Sequence, residues 1–353
     1  NVDFRGANLS SVSFMSSDLS NAQFDGTTIF SAHNPQTGQQ QGVNLSSTNA
    51  VLSGITGSVD FRGVNLSGVS FMGSDLSGAQ FDETTVFSAH NPQTGQQQGV
   101  DLSGTNAELS TIMGSNVDFR GVNLSGVSFI GSDLSAAQFD STTVYSDGTQ
   151  GVNLSGTNAV LFGIQMHENV DFRGVNLSSV SFMSSDLSGA QFDGTTIFSA
   201  HNPQTGQQLG VNLSGTNAML SGITGNVDFR GVNLSGVSFM GSDLSTAQFD
   251  ETTVFSFVDP QTGQQQGVNL SGTNAVLSSI MGSNVDFRGV NLSGVSFMGS
   301  DLSFAQFDNT TVYSDGEFGA NLSGTNAVLF GIQMHDNVDF RGANLSSVSF
   351  MSS

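Results

Sequence analysis

Five residues set the frame of this chain. Val2-Asp3-Phe4-Arg5-Gly6 recurs letter for letter from Val59, Val117, Val170, Val227, Val285 and Val338. The starts are spaced by 57, 58, 53, 57, 58 and 53 residues, so three units make a super-repeat of 168 residues. Super-repeats run from 2 to 169 and from 170 to 337, and 338–353 opens a third. The copies are close to identical: Val2 to Gln41 differs from Val170 to Leu209 only at Ala7/Val175, Asn21/Gly189 and Gln41/Leu209. A chain this periodic grows along one axis and needs no central core, so 1–353 is expected to be a single continuous solenoid.

Within each unit a shorter period of five runs. The second unit reads VDFRG-VNLSG-VSFMG-SDLSG-AQFDE-TTVFS from Val59 to Ser88. The central position holds Phe, Leu, Phe, Leu, Phe and Val, and the residue two earlier is small or β-branched. Five matches neither the helical period of 3.6 nor the strand period of 2. It suits a backbone that turns a corner every five residues and sends two side chains inward from each side. The pentads VNLSG, VDLSG and SDLSG resemble the A(D/N)LXX consensus of the pentapeptide repeat proteins. That resemblance implies an all-β chain, a right-handed quadrilateral β-helix with four pentads per coil. The chain departs from the family in its Val-rich inward position and in one inserted loop per unit of 53–58 residues.

Four pentads per coil make twenty residues the vertical register. Arg5 and Asp25 are so spaced, as are Arg62 and Asp82, Arg120 and Asp140, Arg173 and Asp193, Arg230 and Asp250, and Arg288 and Asp308. Each Asp is expected over its Arg at about 4.8 Å, in a charge ladder that continues to Arg341. Two coils per unit would stack every VDFRG pentad on one face, put the loops on a single edge and give a rod of roughly 55–60 Å. Phe4, Phe24, Phe61 and Phe81 would form an internal column. The long loops, such as Ala32–Gly42, hold all four prolines (Pro35, Pro92, Pro203, Pro260) and shorten to DGTQG and DGEFG in the third and sixth units. The TNAVLSGI linker after VNLSG resists phasing; it could also form part of a third coil.

Charge and composition narrow the function. Asp and Glu number 29 against seven Arg and no Lys, for a net charge of −22. Phosphate-based binding of nucleic acid or anionic membrane needs clustered cations, so neither partner is expected. Cysteine is absent, and no stretch approaches the roughly 20 apolar residues of a membrane-spanning helix. The histidines (His33, His90, His201 in loops, His167 and His335 in linkers) accompany no nucleophile motif, so no enzyme, catalytic residue or cofactor is expected.

Several outward positions invite other readings. Asp18, Asp75, Asp133, Asp186, Asp243 and Asp301, all from SDLS pentads, are oxygen ligands of the kind Ca²⁺ takes; the bland alternative is a consensus hydrogen bond. Asn8, Asn65, Asn123, Asn176, Asn233 and Asn291 begin NLS sequons open to glycosylation, although the pentad consensus writes that motif by itself. Met15, Met72, Ile130, Met183, Met240 and Met298 form an outward apolar series, read as lateral contact between rods. Phe30, Phe87, Tyr145, Phe198, Phe255 and Tyr313 form a second outward series, for lateral contact or for cover by the loop. The ends lie in phase with the repeat, so coil could stack on coil. The expected function is structural: a segment of a microbial extracellular or cell-surface filament, self-associating end to end or laterally. The alternative is an acidic binding module, because some pentapeptide repeat proteins resemble duplex DNA in shape and charge and bind DNA gyrase.

Overall fold

The corner explains the pentad. The computed structural model describes all residues except 1, 16, 92–93, 111, 113–115, 141, 149, 155–156, 158, 160, 162–169, 183–184, 189, 202–206, 260–262, 279, 281–283, 331–337 and 352–353, and the side chains of 201 and 330. Met183, His167, His335, Pro92, Pro203 and Pro260 therefore lie outside the described residues. At each regular corner the residue that opens the next side donates its N–H to the carbonyl of the central residue, as Val64 does to Phe61 (3.1 Å) and Val69 to Leu66 (2.9 Å). The fifth residue sits at i+2 of that turn with positive φ, +71° at Gly63 and +76° at Gly68. Gly tolerates that conformation at no steric cost, which is why Gly closes the pentad. The second residue caps the corner: Oδ1 of Asn65 accepts the Ser67 N–H at 3.1 Å, and Oδ1 of Asp75 accepts that of Ser77 at 3.1 Å. The Asp or Asn of the consensus thereby satisfies a donor that the turn leaves free.

Sides stack as parallel bridges, one residue pair per side, with Asp60 over Gln80, Asn65 over Val86 and Ser70 over Asp101. Among the described residues there is no helix. The chain divides into two compact units, one covering Asn1–Ile164 and Val170–Asn176, the other including Leu177–Ser353. Within each, the interior holds Phe, Leu, Val and Ile at almost zero exposure, as at Phe61, Leu66, Val64 and Ile55.

The structure corrects the expected register twice. The sixth side is displaced by one residue. Asp82, not Phe81, opens the turn, with the Thr85 N–H donating to the Asp82 carbonyl (3.0 Å) and the Thr84 N–H to Asp82 Oδ1 (2.9 Å). Asp is favoured at that first turn position, and no positive φ is then needed. The inward residues become Thr85 and Phe87, while Val86 faces out at 38% exposure. Phe30, Phe87, Tyr145, Phe198, Phe255 and Tyr313 are thus each 1% exposed, core residues and not an outward series. Burying the larger ring in place of Val gains more transfer free energy, which makes the shifted register the stable one.

The second correction concerns coil number. The linker supplies two further sides, centred on Leu52 and Ile55, so a unit has nine: six before the loop, then those of Leu45, Leu52 and Ile55. Nine sides are two circuits and a quarter. Asn44 accordingly bridges Ser13 on one flank and Asn65 on the other. Within a compact unit, successive VDFRG pentads therefore advance one face per unit, and the loops leave from successive corners, not from one edge. The aromatic column follows the same staircase: Phe4–Phe24 (5.3 Å between ring centres), Phe24–Phe30 (5.9 Å), Phe30–Phe61 (5.1 Å), Phe61–Phe81 (5.4 Å) and Phe81–Phe87 (5.9 Å).

Candidate functional site at the loop junctions

Polar side chains converge where a loop meets the next VDFRG pentad. In the first, second, fourth and fifth units the loop is an antiparallel hairpin: β1 (Ser31–His33) with β2 (Gln40–Gly42), β3 (Ser88–His90) with β4 (Gln97–Gly99), β5 (Ser199–His201) with β6 (Gln208–Gly210), and β7 (Ser256–Val258) with β8 (Gln265–Gly267). In the third and sixth units the loop is short, closed by a Ser146–Gly151 or Ser314–Gly319 bridge. Behind β4, Gly99 lies against the next coil so closely that a Cβ on it would stand 2.2 Å from the Gly121 carbonyl carbon.

Each Arg pairs with the Asp of its own pentad, not with the Asp twenty residues on. Arg62 Nε and Nη2 donate to the two oxygens of Asp60 at 3.0 and 2.8 Å, and the Arg62 N–H adds a third bond at 3.0 Å. The same ion pair forms at Asp3–Arg5, Asp118–Arg120, Asp171–Arg173, Asp228–Arg230, Asp286–Arg288 and Asp339–Arg341, at 2.6–2.7 Å. A bidentate fork two residues away needs less ordering than a partner on another coil, so it takes the guanidinium. Asp25 turns instead to Thr27, accepting its N–H (2.9 Å) and hydroxyl (2.6 Å). It still lies within electrostatic reach: the Arg5 guanidinium is raised first by the Asp3 hydrogen bond, and Asp25 contributes last. Asp82, Asp140, Asp193, Asp250 and Asp308 hold the corresponding Thr residues in the same way.

Where the loop is long, the Asp takes one more donor. Gln40 Nε2 reaches Asp60 Oδ2 at 2.9 Å, Gln97 reaches Asp118 at 3.0 Å, Gln208 Asp228 at 3.1 Å and Gln265 Asp286 at 3.2 Å. The same Nε2 donates to the Ser that opens the hairpin, whose hydroxyl donates in turn to the carbonyl of the next Arg, as Ser31 does to Arg62 and Ser88 to Arg120. Burial pulls Asp228 and Asp286 upward, but the Arg and Gln hydrogen bonds outweigh it and leave both carboxyls below the usual range. This Gln was not singled out from the sequence. Its signal was there: Gln stands nine residues after the Ser in every long loop, whereas its neighbour Gln41 becomes Leu209.

The other candidates stand apart. Asp18, Asp75, Asp133, Asp186, Asp243 and Asp301 each accept the N–H of the Ser two residues on (3.0–3.1 Å) and do not stack into a column. Among the described residues no three His, Asp or Glu side chains gather as a metal site would require. Ser67 donates N–H and O–H to Asn65 Oδ1, and Ser10, Ser125 and Ser235 do the same for Asn8, Asn123 and Asn233. Asn291 accepts the Ser293 N–H, and Asn176 bridges Asn153. Met72, Met298, Met240, Ile130 and Met15 are 52–72% exposed. They occupy successive faces within a compact unit, so they are separate studs and not one stripe. A groove of about 450 Å³ beside Arg62 is lined by Phe81, Asp82, Glu83 and Glu108, and its counterpart at Arg230 is about 330 Å³ with Val276 in place of Glu108.

The model of the pentapeptide repeats family matches in eight copies over residues 1–29, 58–86, 115–144, 168–197, 225–253 and 283–312, half of the chain. The chain belongs to the pentapeptide repeat family. Its four-sided coil is thus the right-handed β-helix of that family. Solved pentapeptide repeat structures resemble it at low identity. HetL, a pentapeptide repeat protein involved in heterocyst differentiation regulation from the cyanobacterium Nostoc, is 16% identical over 90% of this chain and 91% of its own, with a TM-score of 0.19. Full-length QnrB1, a plasmid-mediated fluoroquinolone resistance protein, is 13% identical over 99% of this chain and 93% of its own, with a TM-score of 0.12. No curated protein matches the pentapeptide repeat chain.

Proposed function

We propose that the chain is a structural protein, a segment of a long repetitive extracellular or cell-surface filament that self-associates and carries no catalytic activity. The observation behind this reading is that its polar chemistry is spent on holding the coil. The guanidinium of Arg62 is tied to Asp60, the Asp75 carboxylate caps its own corner, and Asp82 fixes the displaced turn. Among the described residues the other units repeat these uses. Exposed apolar studs on successive faces favour lateral contact in several directions. Electron microscopy of the purified native material, with mass measured alongside, is the test. Filaments with an axial repeat of about 11 Å, nine sides at the strand spacing, are expected. Discrete particles at every concentration would retire the reading.

One observation favours an acidic binding module as the second reading. Each Arg is neutralised by its own Asp, while Glu83, Glu108, Glu251 and Glu317 stand exposed. A cationic protein surface, gyrase-like or other, is the partner this charge suits. Binding that weakens steeply with salt supports it; binding indifferent to salt does not.

A further inference from the structure

We propose that each long hairpin is a latch between units, held closed by the Asp of the following VDFRG pentad. A two-stranded ribbon with three residues per strand is marginal by itself in water. Between Ser88 and Gly99 one side-chain contact runs back, Ser47 Oγ donating to Gln98 Oε1 at 3.3 Å, and those of Gln97 and Ser88 run forward to the next unit. Gln97 Nε2 donates to Asp118 Oδ2 and to Ser88 Oγ, and Ser88 Oγ donates to the Arg120 carbonyl. The same three-part arrangement recurs at Ser31–Gln40–Asp60, Ser199–Gln208–Asp228 and Ser256–Gln265–Asp286. The coil itself does not need the hairpin: where the loop is short, Val152 N–H still meets the Tyr145 carbonyl at 2.8 Å, as Val100 meets Phe87 at 2.9 Å. The hairpin thus orders only when the next unit is in place, and it opens when the Gln–Asp contact is lost.

The test is hydrogen exchange on the full chain carrying Gln97→Glu or Gln97→Leu. The charged groups facing position 97 are Asp118, Arg120 paired to it, and Asp140 one coil on; His90 lies on the hairpin itself. In Gln97→Glu the new carboxylate meets that of Asp118. Its pKa in the closed state is therefore raised, so closure is favoured at low pH and lost as pH rises. Corrected for intrinsic rates, the hairpin amides of Asn91 and Gly95 should exchange at least about tenfold faster than wild type at neutral pH, the effect of one lost hydrogen bond to a charge. Protection should return on acidification, when the side chain regains a proton to donate to Asp118. Gln97→Leu should open the hairpin at every pH. The amides of Phe71 and Leu102 in the coil should not change in either variant. Unchanged hairpin protection in both, or loss shared equally by hairpin and coil, overturns the proposal.

Discussion

The junction at Ser88–Gly99 and the junction at Ser146–Gly151 start and finish alike. In both, a Ser bridges a Gly in antiparallel fashion, and that Gly packs against the backbone of the next VDFRG pentad. Between those ends they diverge. The long loop inserts Gln97 between Ser88 and Asp118. The short one folds so tightly that Gly148 donates its N–H to Ser146 at 3.0 Å, and a Cβ on it would stand 2.8 Å from Arg173 Nη2. One contact surface accepts two different loops, so the coil is specified by what flanks a loop and the loop is free to vary. Loop closure grows only slowly in cost with length, which makes such variation cheap.

The largest test of that equivalence strikes the shared Gly. Gly99→Ala would place Cβ 2.2 Å from Gly121 C, and Gly151→Ala would place it 2.3 Å from Val175 N. Neither backbone has room to retreat, so each should cost about 3 kcal/mol. Repeat arrays need not unfold in two states, so local opening should be read from hydrogen exchange of the adjoining coil. If only one of the two substitutions hurts, the junctions are not equivalent.

Next comes the part that differs. Gly148→Ala meets both a φ of +87° and the Arg173 guanidinium, and should cost about 1–2 kcal/mol. Its counterpart at the hairpin tip, Gly95→Ala, meets a φ of +70° and open space, so about 1 kcal/mol is expected from backbone strain alone. Equal effects would mean that Arg173 moves aside freely.

Acid should separate the two junction types as well. At Asp171, as at Asp228 and Asp286, burial raises the carboxyl but the Arg hydrogen bonds outweigh it, leaving it lowered. Asp171 additionally faces Asp147, which pushes it up, where Asp228 and Asp286 gain a Gln donor. A folded pKa below the unfolded value gives stability that is complete above the unfolded pKa and is lost as pH falls through the folded one. Carboxyl titration by NMR should therefore find Asp228 protonating at higher pH in Gln208→Leu than in wild type. An unchanged midpoint would deny the Gln its role.

How far the sequence foretold these features follows from which forces are local. The corner every five residues was legible because Asn65, Leu66 and Gly68 state cap, core and turn within one pentad. The displaced sixth side was not, because TTVF offers two apolar candidates and only packing against Phe81 and Phe119 selects Phe87. The quarter turn was hidden in the linker, where Leu52 and Ile55 lie three residues apart and break the period. The charge ladder failed for a related reason: register brought Arg5 and Asp25 near, but the fork from Asp3 had already taken the guanidinium. Self-association and the fate of the NLS asparagines depend on other molecules, and no arrangement of pentads states them.

A smaller effect is expected from the rings that end each sixth side. Tyr145 replaces Phe87 in the short-loop unit, and its hydroxyl is buried without a hydrogen bond. The nearby Thr143 has its own proton committed to the Phe119 carbonyl. Burial pushes the phenol far up, so it stays neutral. Tyr145→Phe should then be neutral or stabilise by up to about 1 kcal/mol, and Phe87→Tyr should cost at least as much in the long-loop unit. A clear loss in Tyr145→Phe would point to a partner for that hydroxyl, specific to the short loop.

The smallest expected change in stability is at the studs. Met72 is 72% exposed and its equivalent in the short-loop unit is Ile130 at 60%, so the shared property is apolar bulk and not the thioether. By register Met72 sits over Ser53 and under Ser103, so neither neighbour shields it. Met72→Ser and Ile130→Ser should each shift local opening by no more than about 0.5 kcal/mol. A chain carrying both, with Met15→Ser, should nonetheless associate more weakly in sedimentation if the studs make lateral contacts, because desolvating apolar area is what such contacts gain. Because the studs occupy different faces, removing one should weaken association in one direction only. Unchanged sedimentation in the triple variant would strip the lateral reading of its support and leave the exposed carboxylates as the surface to probe.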